Sequence, residues 1–387
     1  MTVLFHSARK LDAHGQVDDF WMLVDGDTIV RTGSGPQHPS ADSVVDVDGS
    51  WLTPGFIDLH AHGAGGHGYD NGPDELRAAL AVHRAHGTTR SVISLVANPL
   101  AELRTSLGQI ADLAESDPLI LGSHLEGPFL SPERRGAHNE DYLRDPEPVH
   151  VDELIGASRA TLCQITIAPE LPGAMEAIDV LVAAGVTVAL GHSNADFDLA
   201  REAFDRGARL MTHAFNAMPG IHHRSPGPVI AAFEDERVFI EIILDGQHVH
   251  PDVAALAFRS APGRVALVTD AMAAAGYTDG DYTLGTLTVA VRDGLAMLRG
   301  TTTIAGSTLT QDRALRIAIR DAHVPAIEAI ASLTLTPATA LGLQHRLGLL
   351  APGFAADAVV LDSTLHVEQV WANGTAIDTI TERGYDA

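Results

Sequence analysis

At 387 residues with 45% apolar side chains, the chain is long enough for one large barrel with a smaller attachment or for two medium domains. Its formal charge of −25 argues against nucleic acid or an anionic membrane as a partner, because both require a basic field to release counterions. No run of eighteen apolar residues and no signal-like apolar start is present, which points to a soluble, cytoplasmic protein. The single cysteine, Cys163, sits in an apolar strand-like run and reads as a buried structural thiol. Lys10 is the only lysine, so an anionic substrate would have to be met by a few local arginines.

In chain order, residues 1–50 read as short β segments, such as 20–24 and 28–31, separated by Asp-Gly turns at Asp25-Gly26 and Asp48-Gly49. The C-terminal stretch has the same character, with 358–362, 367–371 and an Asn373-Gly374 turn. Residues 1–50 together with 348–387 are thus expected to form one small β-sandwich domain. Residues 51–347 alternate apolar strand-like runs with amphipathic stretches such as 74–86, 174–184 and 195–206, the pattern of repeated βα units. Eight strands are expected, ending near His60, Ala97, Glu126, Glu170, His192, His213, Asp245 and Asp270, and they predict an α/β fold of the (β/α)8 TIM type. After the eighth strand, 277–299 reads as an inserted hairpin and 307–323 as a final barrel helix.

In a (β/α)8 barrel the chemistry lies at the carboxyl ends of the strands, where this chain carries His, Glu, His, His and Asp. The pair His60 and His62 follows an apolar strand, and at i and i+2 on a strand the two imidazoles would share a face. A lone His-x-His is weak evidence in a chain with 20 histidines, and His248-Val-His250 is a second instance. Joined by Glu126, His192 and His213, the pair becomes an N/O donor set suited to zinc or a similar divalent ion. Asp270, in Val-Thr-Asp-Ala, is then placed to take a proton from the attacking water and return it to the leaving group.

The motifs Pro54-Gly-Phe-Ile-Asp-Leu-His-Ala-His, His124-Leu-Glu-Gly-Pro-Phe-Leu, Gly136-Ala-His, Gly191-His-Ser, Thr212-His-Ala-Phe-Asn-Ala-Met and Thr269-Asp-Ala carry a resemblance over nearly the whole chain. The chain resembles the N-acetylglucosamine-6-phosphate deacetylases of the amidohydrolase superfamily. That resemblance implies metal-dependent removal of acetate from a phosphorylated amino sugar, a step of amino-sugar catabolism and cell-wall recycling. It matches Glu126, His192 and His213 to the primary metal ligands, His60 and His62 to a pair that lets some members hold a second ion, and Asp270 to the general acid and base. Zinc is the expected metal, with iron, cobalt or manganese as alternatives and one or two ions per subunit. His138 matches the histidine that steadies the amide oxygen. For the phosphate, the resemblance implies a turn at Asn216 and Ala217 whose backbone N–H groups face the ligand, together with His248 and Arg224. Arg224 is expected to be contributed in trans across a homodimer.

Two features narrow the reading within the superfamily. A carboxylated bridging lysine is closed to this chain, because Lys10 lies far from the expected barrel. Ser193-Asn194-Ala195 follows His192 where a deaminase would want a carboxylic acid. Some relatives carry a cysteine before Gly-Ala-His, but this chain has Arg134-Arg135. The competing readings are an N-acyl amino-acid deacetylase and, from a different class, a barrel that kept its fold as a non-catalytic scaffold.

Overall fold

The computed structural model describes residues 1–377, so the last ten positions of the expected terminal domain, 378–387, lie outside the described residues. Eight parallel strands follow one another in chain order: Phe56–Asp58, Thr88–Val96, Ile120–Glu126, Leu162–Ile167, Thr187–Leu190, Leu210–Met211, Phe239–Ile243 and Val265–Val268. The second strand is buried along its whole length; its carboxyl half is mostly apolar, and its buried polar side chains find partners, as Arg90 does in Asp357 and Ser94 in His124. The eighth returns to the first through its turn: Asp270 N–H donates to the His60 carbonyl and His62 N–H to the Ala271 carbonyl, both at 2.7 Å. Helices such as Pro73–Ala85, Ala174–Ala183 and Phe197–Asp205 cover the outside, close to the expected ranges. The TIM-type barrel is therefore present.

Most strands end earlier than the sequence suggests. The first stops at Asp58, the fourth at Ile167, the fifth at Leu190, the sixth at Met211, the seventh at Ile243 and the eighth at Val268. His60 and His62 consequently lie in the turn after a three-residue strand and do not share a strand face. His192, His213 and Asp270 have φ of 48°, 26° and 47°, a left-handed conformation that cannot continue a ladder. Among the residues expected at the site, Glu126 alone stands within a barrel strand.

A second eight-stranded sheet combines Thr2–Asp12, Gly15–Asp25, Thr28–Ser34 and Ser43–Asp46 with Ala358–Leu361, Val367–Ala372 and Thr375–Ile377. Its remaining strand, Trp51–Pro54, pairs antiparallel with Ala358–Leu361 and leads directly into the barrel. The sheet has its own apolar cluster, including Phe5, Phe20, Met22 and Leu52. Lys10 turns its ammonium onto buried Asp12 at 2.8 Å. Between sheet and barrel, Arg90 makes a two-point contact with Asp357, at 2.6 and 3.1 Å, and donates to the carbonyl of Pro118 and the amide oxygen of Asn373.

The stretch expected to be a hairpin is a three-stranded antiparallel sheet, Gly280–Leu284, Leu287–Arg292 and Leu295–Leu298, with a small apolar cluster of its own. The final expected barrel helix runs Gln311–Arg320. Cys163 is half-buried, short of the full burial expected; its Sγ–H donates to the Ser123 carbonyl, and burial pushes the thiol up to about 12. Among the described residues no helix is long and apolar enough to cross a membrane.

Candidate metal centre and active site

Glu126 stands between two groups of donors at the carboxyl end of the barrel. Its Oε1 lies 3.0 Å from the Nε2 atoms of both His192 and His213, which are 3.1 Å from each other. Its Oε2 faces His62 Nε2 at 3.2 Å and His138 Nε2 at 3.3 Å. His60 and His62 meet Nε2 to Nε2 at 3.1 Å, and Asp270 Oδ1 is 3.2 Å from His62 and 3.5 Å from His60. Two donor sets result, Glu126 with His192 and His213, and Glu126 with His60, His62 and Asp270, all buried.

The proton arrangement shows why these sets suit a cation. His192 Nδ1–H donates to the Arg134 carbonyl at 2.8 Å, so a neutral His192 presents a bare Nε2 to a carboxylate oxygen. His60 Nδ1–H likewise donates to Glu241 at 3.2 Å. Acceptors facing acceptors at this distance need a proton or a metal between them. Tetrahedral ligands about 2.0–2.1 Å from an ion stand roughly 3.3 Å apart, close to the spacing here. Without the ion, protons do this work. Burial opposes charge on His60 and His62, but Glu126 and Asp270 outweigh it, raising His60 well above the usual histidine range and His62 to about 9. Burial would raise the carboxylates, yet neighbouring histidines, His60 foremost, hold Glu126 and Asp270 low. A bound divalent ion would replace those protons.

His138 behaves differently. Burial drives it down to about 4 against the pull of Glu126, so it is neutral at pH 7. The Ala97 N–H donates to its Nδ1 at 3.2 Å, which leaves the ring proton on Nε2, directed toward Glu126.

A cavity of about 370 Å³ opens above the cluster, and His62, Glu126, His138, His192, His213 and Asp270 all border it. Asn216, Ala217 and His248 line it as well. His248 is held by Asp245, whose Oδ2 accepts from its Nδ1 at 2.7 Å. Burial disfavours its charge, but that hydrogen bond raises its pKa. The Asn216 N–H is committed to the His213 carbonyl at 3.1 Å, so of the two turn amides only that of Ala217 is free among the described residues. Arg224 does not border this cavity: it is exposed in the 219–226 loop, with Nη1 2.6 Å from His223 Nε2. His60 lies beneath the lining, fully buried.

Several supporting residues escaped the sequence reading. Glu241, fully buried in the seventh strand, accepts from His60 Nδ1, Gln164 Nε2 (2.8 Å) and the His213 N–H (3.3 Å), tying one histidine of each donor set to a single carboxylate. Its signal was an acid inside Phe-Ile-Glu-Ile-Ile, where a buried charge needs partners. Asp58 joins strands one and eight by accepting from Thr269 Oγ1 at 2.6 Å and from the His60 N–H at 3.2 Å. Arg134 also reaches the cavity, its Nε bonded to Asn194 Oδ1 at 2.5 Å.

The model of the amidohydrolase family matches residues 51–382. The chain is 39% identical over 379 residues to the N-acetylgalactosamine-6-phosphate deacetylase of Escherichia coli O157:H7, covering 97% of this chain and 99% of that protein. It is 36% identical to the N-acetylglucosamine-6-phosphate deacetylase of Vibrio furnissii, over 96% of this chain and 94% of the relative. Among solved structures, a mutant N-acetyl-D-glucosamine-6-phosphate deacetylase from Mycobacterium smegmatis in complex with N-acetyl-D-glucosamine-6-phosphate is similar at TM-score 0.92 and 40% identity, over 97% of this chain and 99% of that one. The Pasteurella multocida N-acetylglucosamine-6-phosphate deacetylase gives a TM-score of 0.93 at 29% identity, over 97% and 99%.

Proposed function

The chain belongs to the amidohydrolase family and, within it, to the N-acetylglucosamine-6-phosphate deacetylases, and from that premise we propose that it hydrolyses the acetamido group of N-acetylglucosamine 6-phosphate to glucosamine 6-phosphate and acetate. The observation that carries this reading is Glu126 shared between two histidine pairs, with Asp270 and neutral His138 on the same cavity. Glu126, His192 and His213 would hold one divalent ion, and His60 and His62 could take a second beside it. Zinc suits this His/Glu set best, with iron, cobalt or manganese as alternatives. When bound, the ion lowers the pKa of water and polarises the amide carbonyl.

The protein's own groups do the rest. Asp270, kept ionised, accepts a proton from the attacking water as its oxygen bonds to the acyl carbon. His138 directs its Nε2–H at the amide oxygen as negative charge grows there. Asp270 then gives the proton to the sugar nitrogen, the C–N bond breaks and acetate departs. The phosphate is met by the turn at Asn216 and Ala217, with the Ala217 N–H as the free backbone donor, and by His248. Arg224 comes from the partner subunit of a homodimer, a reading supported by its exposure and its absence from the lining of its own cavity. The enzyme works in the cytoplasm, with the terminal sheet bracing the barrel.

Similarity to the E. coli N-acetylgalactosamine-6-phosphate deacetylase favours a second reading, in which the galacto sugar phosphate is the better substrate. Acetate release from both sugar phosphates and from unphosphorylated N-acetylglucosamine, on protein of defined metal content, tests both readings. Turnover of either phosphorylated sugar is expected, lost on chelation and restored by a divalent ion. Release from neither would overturn the proposal. The trans arginine predicts that inactive Arg224→Ala and Asp270→Asn proteins regain activity when mixed under subunit exchange, because one site of the hybrid is then intact. Verified hybrids without recovery would refute it.

A further inference from the structure

Three observations converge on the tip of the inserted sheet. Leu284, almost fully buried, borders the cavity and packs in a cluster with Val96 and Ala137. Gly285, at φ +53°, lies so close to the end of the second barrel strand that a Cβ there would stand 2.8 Å from Val96 Cγ2. One residue further, Thr286 Oγ1 accepts from Asn139 Nδ2 at 3.1 Å. The tip thus touches both flanks of His138: the strand end Val96-Ala97, whose amide fixes the His138 tautomer, and the loop residues Ala137 and Asn139 on either side of it.

We propose that Leu284 is the wall of the acyl pocket and sets the largest acyl group the enzyme removes. The inference rests on the deacetylase reading. Of the three substituents on the acyl carbon, the oxygen points at His138 Nε2–H and the nitrogen leads to the sugar, toward Asn216 and His248. The metal-side face receives the attacking water. The methyl group is left with the remaining direction, beside His138, where Val96, Ala137 and Leu284 are the apolar surface. Val96 belongs to a barrel strand and Ala137 has no side chain to shorten beyond its methyl. Leu284 comes from an insertion, so its size can change without disturbing the ligands. A hydrophobic wall discriminates one methylene by roughly 10- to 200-fold.

The test compares kcat/KM for N-formyl, N-acetyl, N-propionyl and N-butyryl glucosamine 6-phosphate in the metal-loaded wild type, Leu284→Ala, Leu284→Phe and a control, Ile243→Ala, at another apolar residue of the cavity lining. Leu284→Ala should raise the propionyl-to-acetyl ratio by roughly 10-fold or more, and Leu284→Phe should raise formyl-to-acetyl similarly. Each ratio is taken on one preparation, so a reduced folded fraction cancels. Unchanged ratios in both Leu284 variants, or a shift produced instead by Ile243→Ala, would overturn the assignment. A wild type inactive on all four sugars would overturn the deacetylase reading and this inference with it, whereas an active wild type with unmoved ratios removes this inference alone.

Discussion

At φ 48°, 26° and 47°, His192, His213 and Asp270 each hold a backbone conformation that costs a non-glycine residue about 1–3 kcal/mol. The cost is met by fixed partners: the Arg134 carbonyl for His192, Glu241 for the His213 amide and the His60 carbonyl for Asp270. Two substitutions should separate chemistry from support. Asp270→Asn is expected to keep the ion of the Glu126, His192 and His213 set yet lose about 10²- to 10⁴-fold in kcat, because an amide cannot accept the proton. Glu241→Gln should instead weaken metal affinity by about 10- to 100-fold, measured by competition with a chelator. Retained turnover in the first, or unaltered affinity in the second, would contradict these roles. The residue types of the site were legible because strand-end histidines and acids recur in recognisable motifs. Glu241 was not, because its partners lie just past the first strand, within the fourth and just past the sixth, and meet only when the barrel closes.

Among the elements, the first and last barrel helices are joined by one polar contact. His86, just past Pro73–Ala85, faces Asp312 in the first turn of Gln311–Arg320 at 3.2 Å, and Arg316 and Thr310 bond the same carboxylate at 2.8 and 2.6 Å. Burial opposes charge on His86, but the bond to Asp312 raises its pKa above 6.5; burial likewise opposes the charge on Asp312, but His86 holds it below 3.8. The histidine's contribution is thus complete below 6.5 and is lost as pH rises through its raised folded value. That of the aspartate is present above 3.8 and is lost as pH falls through its lowered one. The stability gap between wild type and His86→Asn should accordingly be wide near about pH 5.5 and narrow near about pH 9, read as thermal midpoints. A gap independent of pH would dismiss the linkage. Amphipathic period revealed these helices, but no local signal could pair residues 226 positions apart. The inserted sheet was read one strand short for a related reason, since Leu295–Leu298 is too brief to stand out before it pairs.

For the molecule as a whole, Arg90 is the main polar tie between barrel and terminal sheet, and it is buried together with Asp357. Arg90→Ala would leave that carboxylate unpaired and should cost about 3–5 kcal/mol, seen as a lower urea midpoint; a loss below about 1 kcal/mol would mean the pair is incidental. The strong acidity of the chain was plain from composition, yet the ion pair that fastens its two sheets was hidden in an arginine at the polar start of a strand, 267 positions from its partner. The lone ammonium of Lys10, folded onto Asp12 in the terminal sheet, carries one more implication. Amine-reactive cross-linkers, dyes and acetylating agents find no side-chain target anywhere on the barrel, and a lysine-specific protease can cut only after residue 10. Subunits that met through barrel faces would pass unseen in a lysine cross-linking experiment, so capturing them calls for carboxyl-directed or photoactivated reagents.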